Sequence, residues 1–237
     1  MTKHGKRYNM ALASVEADTY YRAQDAVSIA KKNATSKFDE TIELHLKTGA
    51  DPRHADQMLR GIAILPHGTG KDVRILVFCE GDAIDIARGA GAEYAGSDEL
   101  IKDVEGGWLE FDVSIATPDM MGKISKLGRI LGRKGLMPNP RTGTVVSPND
   151  IARAVEDSKK GRIEFKLDRN AIVHVPIGKA SFEEQKLLEN LATLMDTLLR
   201  AKPTGVKGDF LKSAFLTTTM GPSVSMDIAD LSNIEVK

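Results

Sequence analysis

Polar and apolar residues alternate strictly through Thr41-Ile42-Glu43-Leu44-His45-Leu46-Lys47, which predicts a half-buried strand with Ile42, Leu44 and Leu46 turned inward. Gly49-Ala50-Asp51-Pro52 ends it, and a second strand is predicted near residues 61–65, closed by Pro66. Ahead of these, Ala23, Ala26, Val27 and Ala30 fall at helical spacing and predict a helix over 15–33. The texture changes after a loop, His67-Gly68-Thr69-Gly70-Lys71. Val73 to Phe78 is a near-continuous apolar run, the kind buried on both faces. A helix over 82–90, a short strand with its turn over 91–96, a helix over 98–104 and a strand over 111–116 follow. This strand–helix–strand–helix–strand rhythm predicts a parallel sheet with right-handed crossovers.

After Pro148 a helix carries Ile151, Ala152, Ala154 and Val155, and alternation then returns. Ile163, Phe165 and Leu167 oppose Glu164 and Lys166; Ala171, Val173 and Val175 oppose Ile172 and His174. A long helix is predicted over 182–199, with Leu187, Leu191, Leu194 and Leu198 on one side. A last strand is predicted over 208–228, interrupted at Gly221-Pro222. Half-buried strands at both chain ends enclose a βαβ block. The architecture expected is α/β and α+β in two domains: a discontinuous α+β domain of residues 1–67 and 160–237, with an α/β domain of residues 68–159 inserted. The two crossings would form a hinge.

The chain has 237 residues, 41% of them hydrophobic, enough for two modest cores. One cysteine, Cys79, excludes a disulfide framework and reads as a small core residue. No apolar run reaches the roughly 18 residues of a spanning helix, and the basic N-terminal block Lys3-His4-Gly5-Lys6-Arg7-Tyr8 is not followed by a signal-peptide core. A reducing, cytoplasmic location away from membranes is therefore expected. The 33 basic and 33 acidic residues cancel, which speaks against a uniformly basic nucleic-acid binder. Their distribution changes the picture. Residues 122–143 hold Lys123, Lys126, Arg129, Arg133, Lys134 and Arg141 and no acidic residue, while 98–112 are strongly acidic. Such segregation creates a local positive field in a neutral protein.

Enzymatic chemistry finds little footing. The P-loop pattern would need Gly where Leu65 stands and Ser or Thr where Asp72 stands, and the loop precedes a strand rather than a helix. Gly128 to Gly135 is glycine-rich without the Gly-x-Gly-x-x-Gly spacing. It reads either as a loop whose backbone approaches phosphates or as a solvated flexible loop. The five histidines lack metal-ligand spacing, and no Gly-x-Ser-x-Gly elbow occurs. Asp39-Glu40 point to opposite faces of an extended chain and read as capping or solvated groups. Phe38, beside Lys37, either packs in the core or stacks on a base. Thr217-Thr218-Thr219-Met220-Gly221-Pro222-Ser223 places Thr217 and Thr219 on one face. It reads either as an ordinary edge strand with a bulge or as a bare hydroxyl-and-backbone surface for sugars and phosphates.

The run Lys126-Leu127-Gly128-Arg129-Ile130-Leu131-Gly132-Arg133-Lys134-Gly135-Leu136-Met137-Pro138-Asn139-Pro140 resembles the signature of the bacterial ribosomal protein L1 family, the lateral-stalk protein of the large subunit. The N-terminal basic block, Lys37 to Thr41, Leu65-Pro66-His67-Gly68, Gly178-Lys179-Ala180-Ser181-Phe182 and Thr217 to Val224 resemble it too, in order along nearly the whole chain. The resemblance implies a discontinuous domain one that binds RNA and an inserted Rossmann-like domain two. It implies contacts through Lys37, Phe38, Thr41, Thr217, Thr219, Met220 and Gly221, and a secondary phosphate contact through Lys126, Arg129, Arg133 and Lys134. The partners it implies are the stalk region of large-subunit rRNA, exit-site tRNA as it leaves deacylated, and the protein's own mRNA leader, whose translation it would repress. The protein would be non-catalytic, without cofactor, cytoplasmic on the ribosome, and a monomer when free. The competing readings are a nucleotide-using enzyme built on the inserted α/β domain and a hinge-closing small-molecule binder.

Overall fold

The computed structural model describes residues 4–16 and 18–234. Lys3 of the basic block and the last three residues of the tail lie outside them. In chain order the elements begin with α1 (Lys6–Leu12), α2 (Ala23–Asn33), β1 (Thr41–Thr48), β2 (Arg60–Ile64), β3 (Ile75–Phe78), α3 (Ala83–Gly89), β4 (Tyr94–Gly96) and α4 (Asp98–Glu105). They continue with β5 (Val113–Ala116), α5 (Met121–Ile124), α6 (Gly128–Lys134), α7 (Ile151–Lys159), β6 (Arg162–Lys166) and β7 (Ile172–Lys179). The last are α8 (Glu184–Arg200), β8 (Leu211–Thr218), β9 (Val224–Met226) and α9 (Ile228–Ser232). The chain divides into two compact units, Met1–Gly70 with Ile163–Lys237, and Lys71–Arg162.

The first unit is built on a four-stranded sheet of order β7-β1-β8-β9, antiparallel throughout. Alternation does the sorting. Ile42, Leu44 and Leu46 of β1, Val173 and Val175 of β7, and Ala214 and Leu216 of β8 face one core, which Val27 and Ala30 of α2 and Leu187, Leu191, Leu194 and Leu198 of α8 complete. Burying each such leucine is worth about 1.5–3 kcal/mol, so the leucine stripe of α8 is its main hold on the sheet. β2 and β6 form a separate pair, where Gly61 leaves room for the ring of Phe165.

Two segments differ from expectation at this end. The helix expected over 15–33 starts only at Ala23. The N–H of Tyr21 donates instead to Ser225 O, making a bridge beside β9, and Asp18 has a positive φ of 62°. An unforeseen helix, α1, lies upstream and buries none of its side chains. At the other end the strand expected over 208–228 breaks at Gly221-Pro222 into β8 and β9, with α9 beyond.

The second unit holds a three-stranded parallel sheet of order β4-β3-β5. Ile75 and Val77 of β3 face α3 and α7; Leu76 and Phe78 face α4 and α6. Layers on both faces explain the unbroken apolar run. Cys79 is buried at its end. The glycine-rich block is the main correction here: residues 128–134 form helix α6, neither a phosphate loop nor a flexible one. Ile124, Leu127 and Leu131 sit at helical spacing and drive into the core, and Gly135, at φ 72°, caps the helix in the left-handed region. The glycine content masked that period.

Asn190 of α8 is fully buried and closes three bonds in the first unit. Its amide donates to Gly68 O at 3.0 Å and Ile177 O at 2.8 Å, and its oxygen accepts from His67 N at 3.1 Å. Asn190→Ala should cost about 2–4 kcal/mol in urea unfolding, because those backbone groups lose their partner. A loss under about 0.5 kcal/mol would show that water replaces it.

Candidate nucleic-acid interface

The edge of the first unit's sheet joins three stretches of chain far apart in sequence. Beyond the end of β8, Thr219 N donates to Thr41 O at 3.1 Å, and Thr41 N donates to Thr219 Oγ1 at 3.0 Å. On the other side of β1, Lys179 Nζ donates to Thr41 Oγ1 at 2.8 Å. Asp39 accepts from Ser181 N at 3.1 Å and Ser181 Oγ at 2.7 Å. Beneath them Glu40, only 1% exposed, accepts from Ser36 N and Met220 N, each at 2.9 Å. Its own carbonyl accepts from Ala180 N at 2.8 Å.

Burial alone would raise the Glu40 pKa. The N–H groups of Met220 and Ser36, with the nearby Ser36 and Thr218 hydroxyls, overcome that and hold it below the ordinary 4.5. The backbone bonds are the firm contacts: Ser36 Oγ, Thr218 Oγ1 and Asn33 Nδ2 are buried there with no hydrogen-bond partner. A Cβ on Gly221 would fall onto the Thr218 hydroxyl, so a larger residue there would force that side chain to move.

Of the residues singled out from sequence, Lys37, Phe38, Thr41, Thr219, Met220 and Gly221 thus sit around the Glu40 anchor. Phe38 is 54% exposed and Met220 51%, so neither is a core side chain. Lys37 is exposed and, among the described residues, makes no ion pair. Thr217 lies one step along the open sheet face, where its Oγ1 is 2.9 Å from His45 Nε2. His45 in turn faces His174, and burial followed by that neighbour lowers its pKa.

Glu40 is the functional group that sequence reasoning missed, and the capping or solvated role expected for it is wrong. The signal was present. Residue 40 shares the inward parity of Ile42, Leu44 and Leu46, so a glutamate there had to be buried and paired. Asp39-Ser181 and His45-His174 could not be found that way, because they depend on the register of β1 against β7.

Lys126, Arg129, Arg133 and Lys134 lie in the other unit, on and just before α6, exposed and, among the described residues, without ion pairs. Lys123 differs, binding Glu80 at 2.6 Å and Asp98 at 3.0 Å. Those groups stand past the carboxyl ends of β3 and β4, where open α/β sheets bind ligands. A region lined by carboxylates, its lysine already paired, opposes a nucleotide phosphate. The loop at His67 to Lys71 is likewise no phosphate cradle. His67 N and Gly68 O are tied to Asn190, and Lys71 is paired with Asp112 at 2.6 Å.

The sequence comparisons agree with this geometry. A family model described as "Ribosomal protein L1p/L10e family" matches residues 30–222, from the end of α2 through the Thr217 to Pro222 turn. The chain belongs to the ribosomal protein L1p/L10e family. A curated relative from Dehalococcoides mccartyi, named "Large ribosomal subunit protein uL1", is 55% identical over 232 residues and spans 98% of each chain. Proteins of the same name from Chloroflexus aggregans (51% identical, 100% of each chain) and Thermomicrobium roseum (53% identical, 97% of this chain and 95% of the relative) are similar. The names are those of ribosomal proteins, not of enzymes.

In this L1-family chain the Glu40 anchor has a measurable signature. Glu40→Gln should destabilise the fold by about 1–3 kcal/mol at pH 7, read by urea unfolding, since one N–H then faces an amide NH2. Because the folded-state pKa is depressed, the ionised group's contribution is complete above pH 4.5 and is lost as pH falls through the folded value. The difference between parent and variant should therefore shrink below pH 4.5; an equal difference at pH 3 and pH 7 would refute the anchor's ionised state.

Proposed function

We propose that this chain is a non-catalytic component of the large ribosomal subunit that binds the stalk region of its rRNA. It works in the cytoplasm and is a monomer when free. The main docking surface is the sheet edge of the first unit, formed by Lys37, Phe38, Thr41, Thr217, Thr219, Met220 and Gly221. The observation that carries this reading is the pair of exposed side chains, Phe38 and Met220, held out from a corner braced by Glu40. A large apolar side chain left more than half exposed, on a backbone fixed by buried bonds, suits a partner brought to it. The aromatic ring offers a stacking platform, and the threonine hydroxyls and bare turn backbone match 2′-hydroxyls and phosphates. Family membership and relatives named as large-subunit proteins support the choice of rRNA.

The basic set on α6, with Lys126, makes a secondary phosphate contact, which its exposure and its lack of ion pairs among the described residues favour. The finer roles belong to the same reading. A surface that recognises RNA by shape serves a similar fold in the protein's own mRNA leader, so occupancy follows relative affinity and the protein represses its own synthesis. On the ribosome, the stalk it binds lies beside the exit site and takes part in release of deacylated tRNA.

Phe38→Ala and Met220→Asp test the surface directly. Each should weaken filter binding to a stalk rRNA fragment by at least fivefold, the loss expected from one aromatic or apolar RNA contact of about 1–3 kcal/mol. Far-UV circular dichroism should not change. Full affinity in both variants would reject this edge as the docking surface.

A further inference from the structure

The open sheet face carries a second constellation that the RNA reading touches only through Thr217. His45 and His174 occupy directly opposed positions on β1 and β7. Their Nδ1 atoms converge to 2.7 Å, and the rings meet at 65° with centroids 4.9 Å apart. The outward nitrogens are both anchored: His174 Nε2 lies 3.5 Å from Asp168 Oδ2, and His45 Nε2 lies 2.9 Å from Thr217 Oγ1. Asp168 is itself fixed, since its Oδ1 accepts from the N–H of Asn170 at 2.8 Å and of Ile172 at 2.7 Å. We infer that His45 and His174 form a two-imidazole site for a borderline divalent transition-metal ion of the zinc class.

The geometry fits the requirements of such an ion in order. Imidazole nitrogen suits zinc, nickel and copper and not the hard cations calcium and magnesium. The two donors come from neighbouring strands of one antiparallel ladder, so their backbones are already fixed and little ordering remains. A tetrahedral ion with bonds of about 2.0–2.1 Å holds its ligand nitrogens about 3.3 Å apart, so the rings need to part by roughly 0.6 Å from their present 2.7 Å. Half of the His174 side chain faces solvent, which leaves room for the separation and for water on the remaining positions. The outer nitrogens have the partners that metal-bound histidines usually show, a carboxylate in one case and a hydroxyl in the other. Glu43 lies 3.9 Å from His45 Nε2, on the anchored rather than the converging side, so it adds charge without being a ligand. Among the described residues no group of three or more His, Cys, Asp or Glu is arranged for a metal. Two protein nitrogens give a weaker, exchangeable site than a dedicated one.

Proton bookkeeping closes without a co-reactant. In the metal-free pair one Nδ1 proton lies between the rings. The consistent chain runs from the Thr217 hydroxyl to His45 Nε2, from His45 Nδ1–H to His174 Nδ1, and from His174 Nε2–H to Asp168. When the ion takes both Nδ1 lone pairs, His45 carries its proton on Nε2 instead. Each ring has one proton before and after. Thr217 then accepts from His45, and its own O–H turns to solvent. If the docking surface proposed above is right, the ion would change Thr217 from an acceptor to a donor toward RNA; the metal site itself does not rest on that reading.

The test uses the full chain freed of metal and titrated with ZnCl2 in a calorimeter. One saturable equivalent is expected, lost in the double variant His45→Ala/His174→Ala and weakened about 10–100-fold in Asp168→Asn. His67→Ala should leave it unchanged. Long-range 1H–15N spectra of the unmutated protein guard against a variant that fails to fold: Zn2+ should shift the Nδ1 resonances of His45 and His174 and not those of His67. No saturable binding, or ring shifts confined to other histidines, would overturn the site. Loss of RNA affinity in Met220→Asp with Zn2+ binding intact separates the two proposals.

Discussion

Glu40 carries an ionised carboxylate in a corner that water barely reaches, and its firm partners are two backbone N–H groups, those of Ser36 and Met220. Removing a carboxylate from water costs several kcal/mol unless charge-assisted bonds replace hydration. Two such bonds, at about 1.5–3 kcal/mol each, are of the size needed, and the lowered pKa shows that they prevail over burial. The consequence is geometric. The bonds hold a turn before β1 and a turn after β8 to one fixed point, across 180 residues of sequence. Thr41 and Thr219 then extend the ladder past the formal end of β8, and Phe38 and Met220 have nowhere to fold back to. The placing of the turns that carry Phe38 and Met220 follows from that buried charge.

The same sheet explains why one face is free to act. Its inward residues need α2 and α8, and the leucine stripe of α8 secures both the core and, through Asn190, the strand of chain that leaves toward the second unit. The opposite face carries Thr41, Glu43, His45, Lys47, Phe215 and Thr217 at half-buried positions, with His174 exposed. Side chains there bond to one another across strands, as His45 does to His174 and Thr217, so their orientations are fixed before any ligand arrives. Preorganisation of that kind lowers the entropic cost of binding.

Much of this architecture was legible from period alone. Strict alternation located β1, β6 and β7, and the four-leucine spacing located α8, because each has one core face and one wet face. Reading failed where a second rule competed. The apolar spacing around Val27 was carried back too far, since nothing in residues 15–22 signals that Tyr21 pairs with β9. Glycines in 128–135 hid a helix whose buried Leu131 continues the helical spacing of Ile124 and Leu127 just ahead of it. Within the candidate interface, Phe38 stayed ambiguous because exposure is decided by the turn that Glu40 ties down. The histidine pair was invisible, since residues 45 and 174 meet only through strand register.

A neutral chain is an unusual RNA binder, and the two units resolve the tension in different ways. At these strand ends Lys179 is committed to Thr41, while Lys37, beside Phe38, is exposed and makes no ion pair among the described residues. Binding at the proposed surface would draw on stacking, hydroxyl contacts and the turn backbone, which recognise the form of a folded RNA more than its charge. The cations collect instead on α6, where Arg129, Arg133 and Lys134 are exposed and form no ion pair among the described residues. Phosphate attraction is long-ranged and indifferent to sequence, whereas close hydroxyl and aromatic contacts are short-ranged and selective. A net charge of zero limits adhesion to arbitrary nucleic acid, and on the proposed reading selectivity would come from the short-ranged contacts.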